Sequence, residues 1–88
     1  MKKILFLLMF PVLCFGQTAE EYEKSGRKKL NLEDYKGAIA DYTKAIELNS
    51  DFNYYNYNLR GAAKVNLKDY DGAIADFNKA IELNSDYA

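Results

Sequence analysis

Two stretches of this chain place their apolar residues with the same helical rhythm. Ala38, Ile39, Tyr42, Ala45 and Ile46 fall at i, i+1, i+4, i+7 and i+8, and Ala73, Ile74, Phe77, Ala80 and Ile81 repeat that spacing. Such spacing draws one apolar stripe along an α-helix. Asp34 and Asp69 stand just before the two stripes, where a side-chain carboxylate can cap the first turn. Asn49, Ser50 and Asp51 follow the first stripe, and Asn84, Ser85 and Asp86 follow the second, as turn-forming residues. Less regular amphipathic segments precede each stripe, at about 19–31 and about 53–67. The pattern therefore predicts four helices in two pairs.

The two pairs are copies of one unit. Residues 34–52 and 69–87 are identical at fifteen of nineteen positions, with an offset of 35. Two of the four changes exchange Tyr and Phe. Self-similarity at a period of this size is the mark of a stacked helical array. Gly26 and Gly61 recur at the same place inside the first helix of each unit. A glycine there costs roughly 1 kcal/mol relative to alanine, so its recurrence points to close approach of a neighbouring helix. Glu20 with Lys24 and Glu23 with Arg27 have the i,i+4 spacing of surface ion pairs. Asp41 with Lys44 and Asp76 with Lys79 have the i,i+3 spacing, and are expected as solvated pairs on the outer face.

These residues resemble the tetratricopeptide repeat, whose pattern runs W-x2-L-G-x2-Y, then A-x3-F, then P. The first unit supplies Tyr22, Ser25, Gly26, Lys29, Ala38, Tyr42 and Ser50; the second supplies Tyr57, Arg60, Gly61, Lys64, Ala73, Phe77 and Ser85. Ala45 and Ala80 match a further small position of the family. The departures are Tyr for Trp, Ser or Arg for Leu, Lys for the later Tyr, and Ser for Pro. An extra residue near Asn53 lengthens the period. The resemblance implies an all-α fold of tandem antiparallel helix-turn-helix pairs, an α-solenoid, with units at about 19–52 and 54–87. It implies a right-handed superhelix whose first helices line a concave face that receives an extended peptide or a partner's helix. Carried over by position, that groove presents Glu20, Glu23, Arg27, Leu30 and Asn31 from the first unit, and Tyr55, Asn58, Ala62, Val65 and Asn66 from the second. The plainer reading of these positions is a solvated helix face on which Glu23 and Arg27 satisfy each other. Some family members hold an acidic C-terminus in a carboxylate clamp of Lys and Asn. Glu23, Arg27 and Leu59 stand at the matching positions here and depart from that clamp. Phe52, Tyr54, Tyr55 and Tyr57 cluster where the units join; Phe52 and Tyr57 are expected to pack, and Tyr55 is the best exposed anchor.

The start of the chain reads differently. Lys2 and Lys3 precede an apolar run at 4–15, and small Gly16 precedes polar Gln17. This is the order of a secretory signal peptide, which would occupy 1–16 and leave 17–88 as an exported, periplasmic or secreted, chain. A helix of a dozen residues reaches about 18 Å, short of the roughly 30 Å hydrocarbon layer, so no stable membrane anchor is expected. Cys14 is the only cysteine, and Leu13 stands where lipid attachment would need a small residue. Removing the leader leaves ten basic against thirteen acidic side chains, a net charge of −3. That surface does not suit nucleic acid or anionic lipid.

The chain has no histidine, which excludes imidazole metal sites and Ser-His-Asp or Cys-His catalysis. Its five glycines are isolated and form no phosphate loop. No cofactor and no enzymatic activity are expected. Three functional readings follow: a module that binds a protein or peptide, a repeat protein that assembles into a homo-oligomer, or the first part of a longer repeat protein.

Gly16 is the last small residue after the apolar run, so the exported protein is expected to begin at Gln17. Intact mass of the protein from its native host checks this. A mass that includes 1–16, or an acyl adduct on Cys14, contradicts it.

Overall fold

The computed structural model describes residues 18–49 and 53–84. The expected leader, the turn residues Ser50, Asp51, Ser85 and Asp86, and Phe52 lie outside the described residues. Four helices follow one another: α1 (Ala19–Asn31), α2 (Tyr35–Leu48), α3 (Tyr54–Asn66) and α4 (Tyr70–Leu83). The bounds agree with the sequence pattern. The third helix is one residue shorter at each end than expected, because Asn53 and Leu67 act as its caps.

Side-chain caps fix the starts of α1, α2 and α4. At the head of α1, Thr18 Oγ1 accepts from the Glu21 amide at 3.1 Å, and the Thr18 amide donates to Glu21 Oε1 at 3.0 Å. This reciprocal box satisfies two amides that the helix leaves unpaired. Asp34 accepts from the Gly37 amide at 3.0 Å and Asp69 from the Gly72 amide at 3.1 Å, as the sequence predicts. The turn between the helices of each pair is also repeated. The Asp34 amide donates to the Lys29 carbonyl and the Glu33 amide to the Leu30 carbonyl; Asp69 does the same to Lys64 and Lys68 to Val65. These bonds need one left-handed residue. Glu33 (φ 63°) and Lys68 (φ 68°) adopt that conformation although neither is glycine. Each capping aspartate thus closes one helix through its amide and opens the next through its carboxylate.

Each helix packs on the helix that follows it in sequence. Ala38, Tyr42 and Ala63 form the buried cluster, with Leu30, Tyr35, Ile39 and Leu59 against it. The two glycines set the spacing within each pair. A Cβ at Gly26 would lie 3.0 Å from the Tyr42 ring, and one at Gly61 would lie 2.8 Å from the Phe77 ring. The expected close approach is therefore present in both units, and the aromatic of the second helix fills it.

The apolar positions of α4 divide by helix face. Ala73 and Ala80 are buried, because they lie on the side of α4 that faces α3. The exposed large apolar side chains of α4 are Tyr70 (55% exposed), Ile74 (56%), Ile81 (67%) and, to a lesser degree, Leu83.

Gly61→Leu sets two effects against each other. Helix propensity favours leucine by somewhat under 1 kcal/mol, whereas overpacking costs about 1–3 kcal/mol. With the Phe77 ring at 2.8 Å, packing should win. Thermal unfolding should show a lower Tm, and a neutral or raised Tm would contradict the close contact.

Candidate ligand-binding face

The side chains that could meet a ligand come from α1 and α3. Glu20, Arg27 and Asn31 are exposed on α1, and Tyr55, Asn58, Val65 and Asn66 are exposed on α3. The structure brings two of them together across the junction of the units. The Arg27 guanidinium lies over the Tyr55 ring, 5.8 Å from its centroid. A cation held over a ring face is worth about 0.5–1 kcal/mol at an exposed site. Tyr55 remains 47% exposed, so ring and guanidinium are both open to solvent.

Other predicted positions serve the fold. Glu23 does not pair with Arg27. Its Oε2 accepts from Asn56 Nδ2 at 2.8 Å, tying α1 to α3, because Arg27 is drawn to the aromatic ring on the neighbouring helix. Leu30 is half-buried against the core cluster. Ala62 is half-buried, and its carbonyl accepts from Asn66 Nδ2 at 3.0 Å. Leu59 also packs on the core, and so offers nothing to a carboxylate clamp. Of the aromatic cluster, Tyr57 is half-buried with Arg60 5.3 Å from its ring centroid, as the packing expectation requires.

Beneath the face lie polar groups that the pattern did not single out. Asn56 is almost fully buried; its Nδ2 also donates to Asn53 Oδ1 at 3.3 Å, and Asn53 Nδ2 donates to the Ile46 carbonyl at 3.2 Å. The extra residue near Asn53 therefore sits in a buried amide chain that joins α2 to α3. The Tyr42 hydroxyl is buried and has no hydrogen-bond partner among the described residues. Burial pushes its pKa up to about 12, with the charge of Arg27 acting the other way.

The largest correction concerns Asp41 and Asp76. They are not on the outer face. Asp41 accepts from Ser25 Oγ at 2.5 Å and pairs with Lys29 at 3.0 Å. Asp76 accepts a two-pronged bond from Arg60, Nη2 to Oδ1 at 2.8 Å and Nε to Oδ2 at 2.9 Å, and pairs with Lys64 at 3.1 Å. Lys44 and Lys79 turn instead to Glu47 and Glu82. The reason is helical phase. Ala38, Asp41, Tyr42 and Ala45 fall at i, i+3, i+4 and i+7, so Asp41 stands within the buried stripe, not beside it. A carboxylate inside an apolar stripe, repeated at the unit offset, was the available signal. Arg60 reaches further than its counterpart Ser25: its Nη1 donates to Thr43 Oγ1 on α2 at 3.0 Å, joining the two units.

The chain matches the tetratricopeptide repeat family at residues 19–52 and again at 54–87. It belongs to that family. Its two tandem repeats are all-α helix pairs, as the resemblance implied, and repeats of this family mark a protein interaction module built on a non-enzymatic scaffold. No curated protein and no solved structure matches the chain. The departures from the repeat pattern now have a physical account. Ser25 and Arg60 replace the Leu, and Lys29 and Lys64 replace the later Tyr; all four side chains converge on Asp41 or Asp76.

Burial alone would raise the Asp76 carboxyl, but the hydrogen bonds and charges of Arg60 and Lys64 outweigh it and hold it below the ordinary aspartate value. A carboxyl depressed in the folded state contributes stability that is present above its unfolded pKa and lost as pH falls through its folded pKa. Asp76→Asn should therefore destabilise the protein at neutral pH, by about 3 kcal/mol if Arg60 is left uncompensated. The difference from wild type should shrink below about pH 3.8. Urea unfolding of both proteins at neutral and acid pH measures this. Lys79→Ala, which removes an exposed pair, should change stability by less than about 0.5 kcal/mol.

Proposed function

We propose that this tetratricopeptide repeat protein is an exported module that holds a peptide or protein segment on the face lined by α1 and α3. The observation that carries the reading is the Arg27–Tyr55 pair. It places a cation and an aromatic ring, both exposed, side by side across the junction of the repeats, and Arg and Tyr are the residues that most often anchor interfaces. Asn58, exposed one turn beyond Tyr55 on α3, adds a side-chain amide suited to a peptide backbone. Export rests on the leader pattern at 1–16. No helix among the described residues is long and apolar enough to cross a membrane. An acidic or aromatic residue in the ligand would complement the pair.

Selection of a displayed random-peptide library on the folded protein tests the reading. Peptides enriched on wild type should lose at least tenfold in affinity on Arg27→Ala, Tyr55→Ala or Asn58→Ala, with helicity unchanged. Lys44→Ala and Lys79→Ala, on the far faces of the second helices, should bind as wild type does. Dependence on the lysines and not on Arg27 and Tyr55 would place the ligand elsewhere.

A further inference from the structure

At one aromatic position the second helices differ by a single hydroxyl. Tyr42 in the first repeat and Phe77 in the second both press on the glycine of the facing helix, so packing alone does not call for the oxygen of Tyr42. That oxygen also disfavours the fold. Tyr42 is 0% exposed, and its hydroxyl has no hydrogen-bond partner among the described residues. A buried polar group left unpaired is destabilising. Asn56 carries a second such atom: it is 1% exposed, and its Oδ1 is likewise unpartnered among the described residues. The amide cannot turn round to relieve this, because its Nδ2 donates to two acceptors, Glu23 Oε2 and Asn53 Oδ1.

Glu23 joins the two orphaned atoms. It bonds Asn56, and it is one of the ionisable groups that act on the Tyr42 hydroxyl, with Arg27, Tyr55 and Asp41. The contact with Gly26 brings the hydroxyl end of the Tyr42 ring onto α1, beside Arg27 and one turn beyond Glu23. Of these groups only Arg27 and Tyr55 are exposed. The hydroxyl therefore lies beneath the Arg27–Tyr55 pair, and Asn56 directly follows Tyr55 on α3. An exposed cation–π contact is weak, so a ligand can displace the pair without unfolding the helices.

The chemistry of these groups selects what they can hold. The Tyr42 hydroxyl can donate, and Asn56 Oδ1 can only accept. A ligand carboxylate would face Oδ1 and the charge of Glu23; a ligand ammonium would face the charge of Arg27. A neutral carboxamide answers both atoms, since it carries one acceptor and an N–H donor. We propose that the protein seats an asparagine or glutamine side chain of its peptide ligand beneath the Arg27–Tyr55 pair, the ligand amide donating to Asn56 Oδ1 and its carbonyl accepting from the Tyr42 hydroxyl. This rests on the reading of α1 and α3 as the peptide-binding face, and it makes Tyr42 the residue that sets specificity. The unpaired hydroxyl is then tolerated in the free protein because the ligand satisfies it.

Peptides enriched from the displayed random library on the wild-type protein test this. They should share an Asn or Gln at one position. Tyr42→Phe should weaken their binding by about tenfold, yet leave the Tm unchanged or raise it, since Phe77 already packs in the same way. A purely structural tyrosine would not separate the two readouts. Changing the shared Asn or Gln to Asp or Glu should weaken binding on wild type and much less on Tyr42→Phe, the coupling expected of groups in contact. The proposal is overturned if Tyr42→Phe binds as wild type does while Arg27→Ala and Tyr55→Ala bind weakly; the face then binds peptide, and the hydroxyl meets water alone. Enriched peptides without a shared amide overturn it as well. Enrichment of no peptide, or binding that survives Arg27→Ala and Tyr55→Ala, refutes the reading of the face itself and this proposal with it.

Discussion

The separation of the two helices in each pair rests on the contact of a glycine with an aromatic ring. Gly26 receives Tyr42 and Gly61 receives Phe77, at distances where an added methyl group would press on the Tyr42 ring and force the Phe77 ring to shift. Glycine in a helix interior costs roughly 1 kcal/mol. Burying an aromatic side chain against the bare backbone returns more, about 1.5–3 kcal/mol. The alanines of the second helices, Ala38, Ala45, Ala73 and Ala80, are small for the same reason. The close approach also lets Asp41 and Asp76 meet side chains on the facing helix.

Those aspartates give the fold its polar interior. A carboxylate within an apolar stripe is tolerated only when its oxygens are satisfied. In the first repeat a hydroxyl and one ammonium do this; in the second, a guanidinium and an ammonium do it from deeper positions. The change from Ser25 to Arg60 has a structural consequence. Arginine has donors to spare after its two-pronged bond, and one of them crosses to Thr43 of the first repeat. The inter-repeat joint thus combines apolar contact of Leu59 and Ala63 with an amide chain at Asn53 and Asn56, the Arg60–Thr43 bond and the Arg27–Tyr55 contact.

The molecule divides its surfaces by chemistry. The first helices expose an arginine on a tyrosine beside amide side chains, a mixed surface suited to peptides. α4 exposes the apolar side chains Tyr70, Ile74 and Ile81. The start of α1 is closed by its capping box with Glu20 and Glu21 in the first turn, and Lys24 and Lys28 are exposed further along the helix.

By itself the sequence determined the number of helices, their bounds, the Asp34 and Asp69 caps, the repeat family and the two close-packed glycines. These depend on local spacing and on internal repetition, both of which are visible in one dimension. The Thr18 capping box is equally visible as T-x-x-E. Only the tertiary structure decided that Asp41 and Asp76 face inward, that Glu23 bonds Asn56, that Arg27 lies on Tyr55, and that Ile74 and Ile81 are uncovered where Ile39 and Ile46 are not. The physical reason is that a helical period fixes which residues share a face, but not which helix stands opposite that face. Charged side chains have several neighbours within reach at i±3 and i±4, and the facing helix, held close by glycine, offers partners in a drier and therefore stronger setting.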